Sequence, residues 1–324
     1  MTDNEQALSA LNDALFGYSM KRQTEITDAV RFVHYTSADA AMKIIQGVDG
    51  KRSLWLRSAT EMNDFSEVQY GNFCLEQALR DEEFAKRFMA AFNAVDERIV
   101  PDFAKLIDQE MASLKSNTYL LSLSMHRDDE LNMGRLSMWR AYGGSASVCL
   151  VLNSEAFSEQ DAYDIIISPV MYAEPLAFKA MLVEMVEKVE THCAALKTFP
   201  YEEIRDNLHS AIVYAILSTK HPAFREEEEW RLIYRPTSTP ELQPQVVCLD
   251  GIVQTVFLLP MEDVEIPDGN SVTHATLPEL VERIIIGPTP NYELVSLAFW
   301  KLLTDAGVDN AGAKLISCGI PLRR

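Results

Sequence analysis

Ala7, Leu8, Leu11, Leu15 and Phe16 recur at helical spacing and predict an amphipathic helix over 4–18. Val30–Thr36 is a β-rich run, and Ser53–Ser58 reads as a second strand. Between them, Ser37 or Asp39 caps a helix through Ile44 and Ile45, and Gly47–Gly50 makes a turn. From Glu67 to about Leu114 helical spacing dominates, and Val100-Pro101 divides it into two antiparallel helices. Thr118–Ser124 alternates as a strand, His126–Met133 is a polar loop, and Leu136–Tyr142 is a short helical segment stopped by Gly143-Gly144. Strands follow at Ala146–Leu152 and around Ile165-Ile166-Ile167, then helices over 175–196 and 201–218, split by Phe199-Pro200. Beyond a Pro-rich loop, Val246-Val247, Val253–Leu259 and Ile284-Ile285-Ile286 read as buried strands. Tyr292–Leu303 reads as a helix and Ala313–Ser317 as a last strand.

Strand clusters and helix pairs in this irregular order predict an α+β fold, with a mixed, largely antiparallel central sheet and added helix pairs. No internal repeat and no long linker interrupts the chain, so one domain over 1–324 is expected.

One stretch departs from this patterning. Four acids, Glu226 to Glu229, run directly into Trp230-Arg231-Leu232-Ile233-Tyr234. Read as a strand from Glu227, it sets Glu227, Glu229, Arg231 and Ile233 on one face, and Glu228, Trp230, Leu232 and Tyr234 on the other. Carboxylates two residues apart on a strand lie about 7 Å from each other, a spacing that suits acid–base work or cation binding. The bland alternative is a solvated acidic turn leading into a half-buried edge strand.

Composition narrows the choice of partners. The 324 residues hold 29 basic and 48 acidic side chains, a formal net charge of -19, which disfavours nucleic acid and anionic membrane surfaces. The five cysteines are scattered and never form Cys-x-x-Cys, as expected of reduced thiols in a cytoplasmic protein. Neither a signal sequence nor a membrane-spanning run is evident.

Three further patches join polar chemistry to the strands. His34, Tyr35 and Thr36 close the first strand, where His34 is either a ligand clamp or a buried imidazole bonded to backbone. Ser58 precedes Glu61, Asn63, Asp64 and Glu67, a set that also fits ordinary helix capping. Trp139 and Tyr142 share a helical face and suit either stacking on a flat ring or core packing. No metal is predicted, since the six histidines are dispersed without ligand spacing, although Glu227 and Glu229 leave a magnesium alternative open. A nuclease core would want lysine where Arg231 stands, and no Gly-x-Ser-x-Gly elbow occurs.

Taken in order, these patches form a more specific signature. His34-Tyr35-Thr36, Leu54-Trp55 near Met62-Asn63-Asp64, Met138-Trp139 with Tyr142-Gly143, Lys220…Phe224…Glu227-x-Glu229-Trp230-Arg231, and Ile284–Pro288 follow one another. The series resembles the bacterial domain-of-unknown-function family 2971 over roughly residues 30–290, with Phe65 where a proline usually follows Asn-Asp. The helix at 4–18 and the helix and strand over 291–318 would flank that core.

The first and last patches are in turn similar to mono-ADP-ribosyltransferases. That resemblance implies an ADP-ribosyltransferase-like fold and NAD as substrate. It implies His34 as the clamp on the NAD ribose or pyrophosphate, with Tyr35, Thr36 and Ser58 beside it, and Glu229 as the catalytic acid partnered by Glu227. Trp139, Tyr142 and Arg231 complete the expected nucleotide-binding set. The expected function is transfer of ADP-ribose to an acceptor, a protein among them, or hydrolysis of NAD, compatible with a defence or toxin role. The alternative is a ligand-sensing or protein-interaction module in which Glu227, Glu229 and Arg231 are structural.

Overall fold

The computed structural model describes residues 2–27, 29–60, 65–114, 116–127, 130–142, 146–157, 163–249, 251–265 and 271–321. Helix α1 (Asp3–Gln23) opens on a capping box in which Thr2 and Glu5 satisfy each other's backbone N–H groups. Strand β1 (Val30–Ser37) ends at Ser37, whose hydroxyl accepts from Ala40 N–H and so starts α2 (Ala38–Gln46). After β2 (Ser53–Ser58) come α3 (Phe65–Leu79), α4 (Glu82–Val95) and α5 (Ile99–Leu114). Three helices thus replace the expected two. Asp81 caps α4 by accepting from Phe84 N–H, while Pro101 sits in the first turn of α5, where a missing N–H costs nothing.

Strand β3 (Tyr119–Arg127) carries on through His126, which the sequence assigns to a loop. Then follow α6 (Leu136–Tyr142), β4 (Ser147–Leu152), β5 (Ile165–Pro169), β6 (Met171–Tyr172), α7 (Pro175–Leu196), α8 (Tyr201–Leu217) and β7 (Thr219–Lys220). The remaining elements are β8 (Glu229–Tyr234), β9 (Gln243–Leu249), β10 (Ile252–Pro260), β11 (Val264–Glu265), β12 (Ser271–Val272) and α9 (Leu277–Leu280). Last come β13 (Val281–Ile286), α10 (Tyr292–Asp305) and β14 (Leu315–Ser317). Among the described residues, no helix is long and apolar enough to cross a membrane.

The fold is α+β, with its contacts divided between two compact units. One unit comprises residues 1–25, 59–117 and 168–225. It is helical, with Phe84, Phe88 and Phe92 recurring along the inner face of α4 and Phe88 meeting Phe103 of α5. The short strands β6 and β7 pair in parallel there.

The other unit comprises residues 26–58, 118–167 and 226–324 and holds the sheet. Among the described residues the sheet has ten strands, in the order β14-β13-β4-β1-β3-β2-β10-β9, with β8 on β3 and β5 on β8. Its pairings are antiparallel except for β13 with β14, wherever the register is resolved.

Strand β3 is the axis of this sheet. One edge carries β8 from Tyr119 to Ser124. The other is shared: β1 pairs with Ser124–Arg127, and β2 only with Tyr119 and Leu120. Between them, among the described residues, neither strand pairs with Leu121, Ser122 or Leu123. The sheet therefore parts there.

Alternation sorts the side chains by face. Phe32, Leu121, Leu123, Trp230, Leu232 and Tyr234 enter the main apolar core, with Phe32 and Trp230 in ring contact at 5.6 Å. The register puts Val33, Ser124 and Glu229 abreast on the opposite face, followed by Ser122 and Arg231.

Candidate functional site

Glu229 and Arg231 stand on this second face, two positions apart on β8. Arg231 Nε donates to Glu229 Oε1 at 2.9 Å and Nη2 to Oε2 at 3.2 Å. Both residues are almost wholly buried, at 4% and 2% exposure. A two-pronged pair of this kind fixes a carboxylate in position and direction, and it offsets the cost of taking the charges from water. The expected division of β8 into a Glu229/Arg231/Ile233 face and a Trp230/Leu232/Tyr234 face is what the register gives.

Glu227 does not share that face as a strand residue. It closes a 3-10 turn, Pro222–Glu227, and β8 begins only at Glu229. Between them, Glu228 takes φ +41°, the left-handed region that a non-glycine residue seldom adopts. Alternation is lost at that kink, so the strand spacing expected between Glu227 and Glu229 does not hold.

The kink has an identifiable cause. Met125 N–H donates to the Glu228 carbonyl at 2.9 Å, and the Ser124 hydroxyl donates to the Glu227 carbonyl. The Arg135 guanidinium spans the same turn. Its Nη1 reaches the Glu226 carbonyl at 3.0 Å, the Glu227 carbonyl at 3.1 Å and Ser124 Oγ at 3.0 Å. Its Nη2 donates to the Met125 carbonyl at 2.6 Å, Glu130 Oε2 at 2.7 Å and Glu228 Oε2 at 3.0 Å. Burial raises the Glu130 pKa, but the Arg135 guanidinium outweighs it and holds that carboxyl below its ordinary value. Sequence reading missed Arg135. The signal available was a cation close behind Asp128, Asp129 and Glu130, a stretch that also holds Arg127.

His34 occupies the parting of the sheet. Its Nδ1 lies 3.1 Å from the carbonyl oxygen of Ser122, on the stretch of β3 that neither β1 nor β2 pairs. A carbonyl only accepts, so Nδ1 carries the proton and Nε2 the lone pair. Burial, with the Arg57 charge acting in the same direction, pushes the imidazole pKa down, while the bond to Ser122 opposes them. His34 is therefore neutral at neutral pH, a backbone-satisfying imidazole whose Nε2 is an acceptor.

Tyr35 points to the other face and is buried. Its hydroxyl accepts from Arg135 N–H at 2.7 Å and lies 3.2 Å from His126 Nε2. Burial drives this phenol well above its ordinary pKa and pushes the His126 imidazole, which also feels the Arg135 charge, down to about 4.

Trp139 is enclosed. Its indole meets Tyr35 edge-on at 4.9 Å, and Nε1 donates to the Met133 carbonyl at 2.8 Å. A Cβ at Gly134 or Gly287 would approach the ring to 2.9 and 2.8 Å, so these glycines let the backbone close on both sides. Trp139 packs a small core with Val33, Met138 and Cys149, against which Tyr142 also lies, the core-packing alternative of the two the sequence left open. Thr36 and Ser58 are half-buried, Thr36 opposite Val148 on β4 and Ser58 opposite Tyr119 on β3. Glu61, Asn63 and Asp64 lie outside the described residues, as do Gly143 and Gly144.

Within one unit, then, β3 receives His34 at the Ser122 carbonyl on one edge and pairs on the other with β8, which carries Glu229 and Arg231. By alternation His34 shares the face of Phe32, and Glu229 that of Val33 and Ser124. Residues 138–232 match the family model described as Protein of unknown function (DUF2971). The DUF2971 match takes in Trp139, Tyr142, Glu227, Glu229 and Arg231, and is narrower than the span of 30–290 expected from the motif order. His34, Tyr35, Thr36, Ser58 and Arg135 fall outside it. No curated protein and no solved structure matches the chain.

Proposed function

We propose that the chain acts on NAD in the manner of ADP-ribosyltransferase-like enzymes, transferring ADP-ribose or hydrolysing the dinucleotide. One observation carries the reading: Arg231 fixes the carboxylate of Glu229 in position and direction through two N–H···O contacts on β8, across β3 from the edge where the sheet parts and His34 enters.

The chemistry fits a fixed carboxylate. As nicotinamide leaves, the bond from ribose C1′ to the ring nitrogen breaks and its electron pair neutralises the pyridinium. Positive charge builds on C1′ and the ring oxygen until an acceptor or water bonds C1′ and loses its proton. A preoriented anion beside that ribose stabilises the developing charge more than it does the ground state. Glu229 takes that part. Arg231 orients it, and Glu227 is placed by the turn before the kink at Glu228, not by the strand.

His34 takes a hydroxyl. With Nδ1 engaged by the Ser122 carbonyl, its Nε2 offers a lone pair, which suits a ribose O–H donor and repels a pyrophosphate oxygen. Tyr35 and Trp139, in the small core with Val33, hold the scaffold and are not assigned to the nucleotide.

A second reading draws on the closure of the ion pair. Side chains exposed by only 5% and 2% are also what a structural fixture of a ligand-sensing or protein-interaction module would show. Calorimetric titration of NAD into wild type, His34→Ala and Glu229→Gln separates the two. Binding lost in His34→Ala and kept in Glu229→Gln supports the enzyme. No heat at a sensitivity that detects micromolar affinity favours the module.

A further inference from the structure

We infer that Arg135 is a positioning residue for Glu229, an inference that rests on the reading of Glu229 given above. Arg135 touches neither Glu229 nor Arg231 through the contacts described; it acts on the turn that delivers them.

The acidic run has two conformations open to it. Extended, Glu227 and Glu228 would lengthen β8, and alternation would return the Glu227 carboxylate to the face of Glu229, two positions away. Like charges that close oppose each other's ionisation and would compete for Arg231. Kinked, Glu227 falls outside β8 and its alternation, at the cost of a left-handed Glu228. No glycine supplies that geometry, so contacts from elsewhere must hold it.

Arg135 supplies them. Its planar fork engages three consecutive members of the run, at the carbonyls of Glu226 and Glu227 and the carboxylate of Glu228. The same group binds β3 through Ser124 Oγ and the Met125 carbonyl. Its own backbone N–H is anchored on Tyr35, and Glu130 holds the guanidinium from behind. Arg135 therefore locks the kink to the strand that β8 pairs with, and the lock requires a fork, which a lysine ammonium does not provide.

The test uses the full chain as wild type, Arg135→Lys and Arg135→Lys/Glu228→Gly. Two quantities are read: hydrogen exchange at the Met125 amide, which bonds the Glu228 carbonyl, and kcat and KM for nicotinamide release from NAD. Arg135→Lys is expected to speed Met125 exchange and lower kcat, each by about tenfold or more, with KM within about twofold. Glycine adopts positive φ without strain, so the double variant is expected to recover most of both losses. If the single variant does not fold, the double variant is compared directly with wild type, and kcat within about threefold is expected.

Unchanged Met125 exchange in Arg135→Lys overturns the inference. So does a double variant that regains protection but not kcat, because Arg135 would then be structural only. A wild type that releases no nicotinamide defeats the reading of Glu229. Loss and recovery of Met125 protection would then still show that Arg135 holds the turn.

Discussion

Arg231 and Glu229, neighbours on the same face of β8, bind each other through two N–H···O contacts in a nearly water-free position. Such a pair is costly to break from one side. Glu229→Ala leaves a buried guanidinium short of its carboxylate and is expected to lose about 3–5 kcal/mol of stability. Glu229→Gln keeps an acceptor and loses less. The paired change Glu229→Gln/Arg231→Met is expected to recover part of the Glu229→Ala loss. Urea unfolding monitored by tryptophan fluorescence measures all three.

A second prediction concerns acid. His126 is fully buried beside Tyr35, Arg135 and Glu130, with its pKa pushed down to about 4 chiefly by burial. An unfolded imidazole takes its proton near pH 6.5, so between those values protons favour the unfolded chain. The stability contribution is complete above about pH 6.5 and is lost as pH falls toward 4, by about 3 kcal/mol in all. His126→Gln cannot titrate. Its unfolding free energy is expected to depend less steeply on pH across that window, as denaturant titrations at stepped pH would show.

The glycines beside Trp139 carry a third. Gly134 has φ +67°, and a Cβ there would lie 2.7 Å from the Tyr35 hydroxyl. At Gly287 it would lie 2.5 Å from Ser147 Oγ and 2.8 Å from the indole. Gly134→Ala and Gly287→Ala are each expected to cost about 1–3 kcal/mol through overpacking and, at Gly134, backbone strain. Trp139→Phe, which shrinks the ring, should relieve Gly287→Ala more than Gly134→Ala. Thermal unfolding of the single and double variants provides the comparison.

Local signals in the sequence carried much of this architecture. The stripes of α7 and α8 and the alternation of Trp230, Leu232 and Tyr234 against Glu229, Arg231 and Ile233 are properties of short windows, and the fold keeps them. Ser37 could be read as a cap for the same reason. The parting of the sheet could not, because it arises from β1 and β2 competing for one edge of β3, and neither strand encodes its partner's register. The kink at Glu228 was equally hidden. Four glutamates in a row give no hint of a positive φ, and the group that imposes it, Arg135, lies on a distant loop. His34 is an intermediate case. Its strand was legible, but its tautomer follows from the carbonyl of Ser122, at a position that neither β1 nor β2 pairs.

The central claim is that Glu229 acts on NAD chemically and does more than brace β8. The direct measurement is nicotinamide released from NAD by wild type and Glu229→Gln, at NAD concentrations spanning KM and with folding verified by near-ultraviolet circular dichroism. The account predicts turnover by wild type and a fall in kcat of about 100-fold or more in the variant, with KM little changed. Release by folded Glu229→Gln at the wild-type rate, or none by wild type, would contradict it.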